Sequence, residues 1–323
     1  MKRKPKFLAA ALAACVAVAF AAPLAAQEKL LIGATSASSS QYGYFVALSQ
    51  LINAQVPGVE TSVVETGATV DNLRRMARNQ IDLGLVTTNV VYHAYAGTAE
   101  FEGRKVDSRL LFVYSPAPQN VVVRADSGAQ SLADLSGKRF NPGLKGSATE
   151  KTAEAVFRAL GIAPDYVRGS TTDIVDSIKD NRVIGYVKSG VGDKLDGSSL
   201  DIATFTPVRV LSLTPEQKKT VAEKFPDLSV VDIPAGAAEG IPAYSTWSFG
   251  LAVHARPGLS DETAYGIAKA VFEDRTVQTG AMASLKGVDM IKLTLENGTV
   301  PLHPGVVRYL KEKGVTIPQK LQP

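Results

Sequence analysis

The residues best placed to do chemistry sit in one short run, Lys145-Gly146-Ser147-Ala148-Thr149. They stand directly before a segment with apolar residues at Ala153, Val156, Phe157 and Leu160, the spacing of one buried helical stripe. A loop that opens a helix leaves backbone N–H groups without partners, and the helix dipole adds partial positive charge there. Such a place suits a carboxylate or a phosphate. Ser147 and Thr149 add hydroxyls, and Lys145 adds a full charge. The plain alternative is that Ser147 or Thr149 only caps the helix, with Glu150 supporting its first turn. These residues alone leave both uses open.

The elements that must position such a loop recur along the chain. Leu30–Ala34 reads as an apolar strand, followed by the polar run Thr35–Gln41 and a helix with Tyr42, Phe45, Leu48 and Ile52 on one side. Thr61–Glu65 is the next strand, Thr66–Thr69 a small-residue turn and Val70–Asn79 a helix. Asp82–Val86 is a third strand, closed by Thr87-Thr88-Asn89 before a helix to Ala96. Strand, small polar turn, helix, three times over, predicts a parallel sheet with helices on its faces. Ligands of such sheets lie at the carboxyl ends of the strands, where all three turns fall.

Strands are expected at Leu110–Tyr114, Asn120–Arg124, Val183–Lys188, Val208–Leu213 and Ser248–His254. Ser131–Gly137 reads as a capped turn leading into Lys138. Helices are expected at Asp173–Asn181, Pro215–Phe225 capped by Thr214, Asp261–Phe272 and Gly305–Glu312.

At 323 residues, with 45% hydrophobic and 20% charged residues, the chain has the length for two domains, or one large one, and the composition of an ordinary globular protein. Its N-terminus reads as a secretion signal over residues 1–26: Lys2, Arg3, Lys4 and Lys6, then an alanine-rich apolar run, with Ala25-Ala26 before Gln27-Glu28. Taking those four basic residues from the 35 Lys and Arg leaves 31, equal to the 31 Asp and Glu. The formal charge of +4 therefore belongs to the leader, and no basic stripe argues for nucleic acid. Cys15, the one cysteine, follows Leu12-Ala13-Ala14 as in a lipoprotein box, but the apolar run continues past it, so a lipid anchor is not expected. The processed chain then holds no thiol, disulfide or cysteine metal ligand.

Catalytic signatures are missing. There is no G-x-S-x-G elbow, no P-loop, no G-x-G-x-x-G and no H-E-x-x-H. His93, His254 and His303 are far apart in sequence, with structural roles expected for His93 and His303. Asp71 reads as a first-turn carboxylate.

Several segments in order then resemble one family. They include Glu65–Leu73, Ile81–Val86, Val121–Ser127, Ser131–Arg139, Gly146–Thr149, Ile233–Gly236 and Pro301–Gly305. In them the chain resembles the TAXI family of solute receptors that serve TRAP (tripartite ATP-independent periplasmic) transporters. The resemblance implies an α/β fold of the two-lobed type II periplasmic binding protein kind, each lobe a mostly parallel sheet flanked by helices, with two hinge crossings. It implies a first lobe over residues 27–120, a second over 121–244 and a return to the first over 245–323.

The same resemblance implies a site in the cleft between the lobes. From the first lobe it would take Thr35, Ser36, Ser39, Tyr42, Tyr44, Gly67, Ala68, Thr69, Thr88 and Asn89. From the second it would take Lys145, Gly146, Ser147, Thr149, Ser189 and Gly190, with Trp247 near the hinge as a wall. Known family ligands are small carboxylates such as glutamate and 2-oxoglutarate. This sequence departs from the family's pattern: Ala68 stands where glycine is usual, Asn89 where an acid is frequent, Lys145 where a small residue or proline is usual, and Val191 breaks a glycine pair. The changes at Asn89 and Lys145 make the cleft more positive, which points to a purely anionic acid. The expectation is a periplasmic, monomeric, cofactor-free binding protein that takes a small anionic solute to a TRAP permease. Receptors for an ABC importer or a sensor kinase are the nearest alternatives, and a secreted hydrolase is a further one.

Overall fold

The computed structural model describes Met1 and residues 27–323, so the rest of the expected signal segment, with Cys15, lies outside the described residues. The first lobe is built from β1 (Glu28–Gly33), α1 (Ser40–Gln55), β2 (Val59–Val64), α2 (Thr69–Ala77), β3 (Leu83–Thr87) and α3 (Thr88–Ala96). β1 runs parallel to both β2 and β3. Leu30, Ile32, Leu83 and Val86 are buried in these strands, which is the apolar signal read from the sequence.

The strand ends are tied together by Asn72, which is fully buried in α2. Its Nδ2 donates to the carbonyls of Gly33 at 3.1 Å, Ala34 at 3.0 Å and Leu85 at 2.9 Å. Gly33 is required beside it, because a Cβ there would stand 2.5 Å from Asn72 Oδ1.

β4 (Arg109–Arg124) leaves this lobe as one strand of 16 residues. The sequence pattern predicts two strands, interrupted near Pro116 and Pro118. The structure runs straight through, because what these prolines contribute is carbonyls: Pro116 accepts from Gly192 N–H at 3.4 Å and Pro118 from Gly190 N–H at 2.7 Å.

The second lobe repeats the first. β5 (Arg139–Phe140), α4 (Ala148–Ala159), β6 (Asp165–Tyr166), α5 (Thr171–Lys179) and β7 (Gly185–Ser189) are strand–helix modules again. β5 is parallel to β6, and Asn141 beside it bridges in parallel to Tyr186 of β7. α6 (Gly197–Phe205), β8 (Val208–Leu211), α7 (Pro215–Lys224) and β9 (Ser229–Ile233) follow. Thr214 caps α7 in a capping box with Gln217. β10 (Tyr244–Ala255) crosses back to α8 (Asp261–Glu273), α9 (Val277–Ala281), α10 (Met290–Asn297) and α11 (Pro304–Glu312).

Each lobe thus holds three parallel strands flanked by a long antiparallel crossing strand: β2-β1-β3 against β10, and β6-β5-β7 against β4. β4 and β10 are themselves antiparallel from Arg109↔Ala255 to Pro118↔Ser248, and these two strands are the hinge crossings. The crossings make the whole sheet mixed, with β8 added on β4 and β9 on β10, both antiparallel. One apolar cluster fills the first lobe and reaches across the crossings to Phe140, Phe157 and Trp247; a second gathers Ile174, Ile178, Ile202 and Tyr244.

Candidate functional site: a cavity between the lobes

Three helices begin at one cavity of about 40 Å³ between the lobes. Ala68 precedes α2, Thr87 precedes α3 and Ser147 precedes α4, and all three line it. Their N-termini bring partial positive charge to the same space. Ser147 caps its own helix, accepting from Glu150 N–H at 3.1 Å, so its hydroxyl proton stays available as a donor. α2 and α3 have no side-chain cap.

Two hydroxyls in the lining are buried without any partner: Thr69 Oγ1, on the first residue of α2, and Thr87 Oγ1. Leaving such groups unpaired is costly, and it marks the cavity as a place completed by something else. Opposite them, Thr149 Oγ1 donates to Gln119 Oε1 at 2.7 Å and lies 2.9 Å from Ser189 Oγ. Gln119 is held by its own Nε2 on the Ala117 carbonyl at 2.7 Å, and Thr246 Oγ1 donates to its backbone carbonyl. Thr35 and Gln41 add polar groups to the wall, and Leu85, Leu144, Val187, Phe249 and Leu251 supply its apolar part.

One cation lines the cavity, Lys188, at the end of β7. Its ammonium lies 3.7 Å from Asp196 Oδ1 and donates to Ser39 Oγ at 3.1 Å. Asp196 is fully buried, caps α6 and also reaches the first lobe, accepting from Ser39 Oγ at 3.0 Å and Ser40 N–H at 2.9 Å. Gly197 N–H in turn donates to Ser40 Oγ at 2.7 Å. The N-terminus of α1 is therefore occupied by an anion of the protein itself.

On the other side of the cavity the lobes meet through backbone. Val70 N–H, in the first turn of α2, donates to the Gly146 carbonyl at 3.0 Å. A Cβ on Gly67 would lie 2.9 Å from the Lys145 carbonyl, so the two loops approach as closely as glycine permits. These contacts describe a closed cleft.

Of the residues expected at the site, Thr35, Ala68, Thr69, Ser147, Thr149 and Ser189 line the cavity. Others stand next to it in supporting contacts. Ser36 Oγ pairs with Ser38 Oγ at 3.1 Å, and Ser39 is the α1 cap bound to Asp196. Thr88 Oγ1 accepts from Gly250 N–H at 3.0 Å, and Asn89 is buried with Oδ1 unpartnered. The Gly190 carbonyl accepts from Gln41 Nε2 at 3.4 Å.

Four expected residues are placed differently. Lys145 has an exposed side chain, so the base at the cavity is Lys188. Tyr44 is fully buried in the first-lobe core, stacked on Tyr114 with ring centroids 4.3 Å apart, its hydroxyl on Gln278 Oε1 at 2.8 Å. Tyr42 is half-buried on α1 and does not reach the lining. Trp247 is fully buried, edge-on to Phe157 at 6.0 Å. Large aromatic rings gain more from core burial than a small polar cleft can offer.

Lys188, Gln41, Gln119, Asp196 and Phe249 escaped the sequence reading. The one signal available was a lysine closing the otherwise apolar strand Gly185-Tyr186-Val187-Lys188 just before a serine–glycine turn.

Among the described residues, one serine–histidine pair is hydrogen-bonded. His254 Nδ1 lies 3.0 Å from Ser108 Oγ, with both side chains buried and neither in the cavity wall. Burial pushes the His254 imidazole down to about 3, far too low for a general base at neutral pH. His303 caps α11, accepting from Gly305 N–H at 3.2 Å, while Nε2 lies 3.1 Å from the Leu259 carbonyl. His93 lies 3.5 Å from Asp227 on a half-exposed surface. Asp71 binds Gly67 N–H at 3.0 Å and Arg75 at 2.8 Å, the first-turn role read from the sequence.

This architecture is that of the two-lobed periplasmic binding proteins. An ancestral arginine-binding protein bound to arginine is similar, at 17% identity over 80% of this chain and 96% of its own, with a TM-score of 0.50. A putative L-cystine ABC transporter from Listeria monocytogenes matches at 11% identity over 81% and 98%, with a TM-score of 0.52. The ligand-binding component of an ABC-type import system from Staphylococcus aureus, solved with zinc bound, matches at 9% identity over 92% and 97%, with a TM-score of 0.50. The chain belongs to the NMT1-like family, whose model matches residues 32–314.

Proposed function

We propose that this protein is an extracytoplasmic solute receptor of the TAXI type that closes on a small organic carboxylate and delivers it to a TRAP permease in the membrane. The observation that carries the binding reading is the convergence of the α2, α3 and α4 N-termini, with the unpartnered hydroxyls of Thr69 and Thr87, on one closed cavity. That arrangement offers donors and positive potential, which a carboxylate completes. The order of the sequence segments from Glu65 to Gly305 supports the TRAP assignment. Lobes over 27–120, 121–244 and 245–323, a periplasmic location and a monomeric receptor that binds without catalysing belong to the same reading.

Thermal denaturation against a panel of organic acids tests it. A carboxylate present at about 100 times its Kd adds about 2.7 kcal/mol, a rise of about 4 °C for a chain of this size. The rise should fall to about half in Thr69→Val and persist in full in Lys145→Ala. A panel without any stabilising acid would remove the reading.

Delivery to an ABC importer is the second reading, favoured by the likeness to the Listeria and Staphylococcus proteins, both of ABC-type systems. Reconstituted uptake with the permease encoded beside this gene separates the two, since an ABC system requires ATP and a TRAP system does not.

A further inference from the structure

The wall of the closed cavity narrows the class of guest, on the reading that the protein binds a solute there. Its uncommitted donors are the Thr69 and Thr87 hydroxyls, both nine-tenths or more buried and unpartnered, the spare proton of Ser147 and the starts of α2 and α3. Apolar surface stands beside them: Leu251 is the strand partner of Thr87, Leu85 lies two residues from it on the same face, and Val187 and Phe249 also line the cavity. Among the described residues no carboxylate lines the cavity, so an ammonium group would meet no counter-charge. Lys188, the single cation lining it among the described residues, is already matched by Asp196 at 3.7 Å, so a second carboxylate on the guest would meet none either. A cavity of about 40 Å³ takes about three waters, or a guest of on the order of five non-hydrogen atoms.

We infer that the guest is a short monocarboxylate without an amino group, its carboxylate set among the Thr69, Thr87 and Ser147 hydroxyls and its small apolar tail against Phe249 and Leu251. Amino acids and dicarboxylates are rejected by the charge they leave unpaired, as much as by their size. The assignment is narrower than the glutamate and 2-oxoglutarate class that the sequence resemblance implies.

Isothermal titration of the full chain with matched probes tests this. Propionate and pyruvate represent the proposed class. Alanine adds an ammonium to the propionate skeleton, and succinate adds a second carboxylate. The expected result is binding of propionate or pyruvate at least about 100-fold tighter than alanine or succinate. Thr87→Val keeps the side-chain shape and removes one hydroxyl, and it should weaken the bound monocarboxylate about 10-fold or more while leaving the circular-dichroism melting curve in place. Thr69→Val provides the same test should Thr87→Val fail to fold. Tighter binding of succinate, alanine, glutamate or 2-oxoglutarate overturns the inference and leaves solute binding standing. An absence of heat with all six acids, and with a panel of sugars, amines and phosphates, overturns both.

Discussion

The Asp196 carboxylate of the second lobe accepts a 3.0 Å hydrogen bond from the Ser39 hydroxyl of the first. The same oxygen holds Ser40 N–H, and the other faces Lys188. Asp196→Asn leaves that cation nine-tenths buried without a counter-charge, and about 3–5 kcal/mol of stability should be lost. Urea denaturation measures the loss. Small-angle scattering of the free protein should show a larger radius of gyration as the cleft opens. Adding Lys188→Met to Asp196→Asn should recover much of the stability and none of the closure.

Gly67 tests closure from the other side of the cavity. An alanine there suits the backbone but drives its Cβ to 2.9 Å from the Lys145 carbonyl. On the proposed function, Gly67→Ala should weaken binding of the acid by about 10-fold, or about 1.4 kcal/mol, with thermal stability of the free protein nearly unchanged. Equal affinity in titration would show that the loops do not meet in the bound state.

Ala68 holds φ at 63° and ψ at −144°, a region open almost only to glycine. Strain of this kind costs about 1–3 kcal/mol, and a glycine relieves it while loosening the unfolded chain. Ala68→Gly should therefore raise stability by about 1 kcal/mol in urea titration. A fall instead would mean the alanine side chain contributes packing beyond its strain.

His254 predicts an acid dependence. Burial places its folded-state value at about 3, against about 6.5 unfolded. Between those limits the unfolded chain binds the extra proton, so stability is full above pH 6.5 and falls on acidification by about 1.4 kcal/mol per pH unit, levelling near pH 3. His254→Asn should flatten the profile by one proton in urea melts taken from pH 4 to 7. Burial shifts His303 in the same direction, so a residual slope is expected.

The first lobe was legible in the sequence because each strand is apolar, each turn is rich in hydroxyls and each helix has its stripe: β1, β2 and β3 lie within two residues of expectation at each end. The crossings were harder. Pro116 and Pro118 break the pattern of β4 without breaking the strand, since ladder bonding there uses their carbonyls. α6 was missed because Leu200 and Phe205 are exposed and give it no buried stripe. At the cavity the hydroxyl loops were readable and the charges were not. Lys145 is nearest in sequence to the α4 loop, yet Lys188 is the base that arrives, brought by β7 and fixed by a carboxylate eight positions on. Aromatic residues near a loop said little, because Tyr44 and Trp247 satisfy the interior.

The bond from Val70 to Gly146 joins one peptide unit to another. It is indifferent to whatever side chains stand nearby. Substitutions at Leu144, Val187 or Leu251 can therefore reshape the chamber while the jaws still meet in the same alignment. On the proposed function, preference for a guest and the act of clamping down are separable traits, and a receptor with altered taste could be engineered without rebuilding its bite.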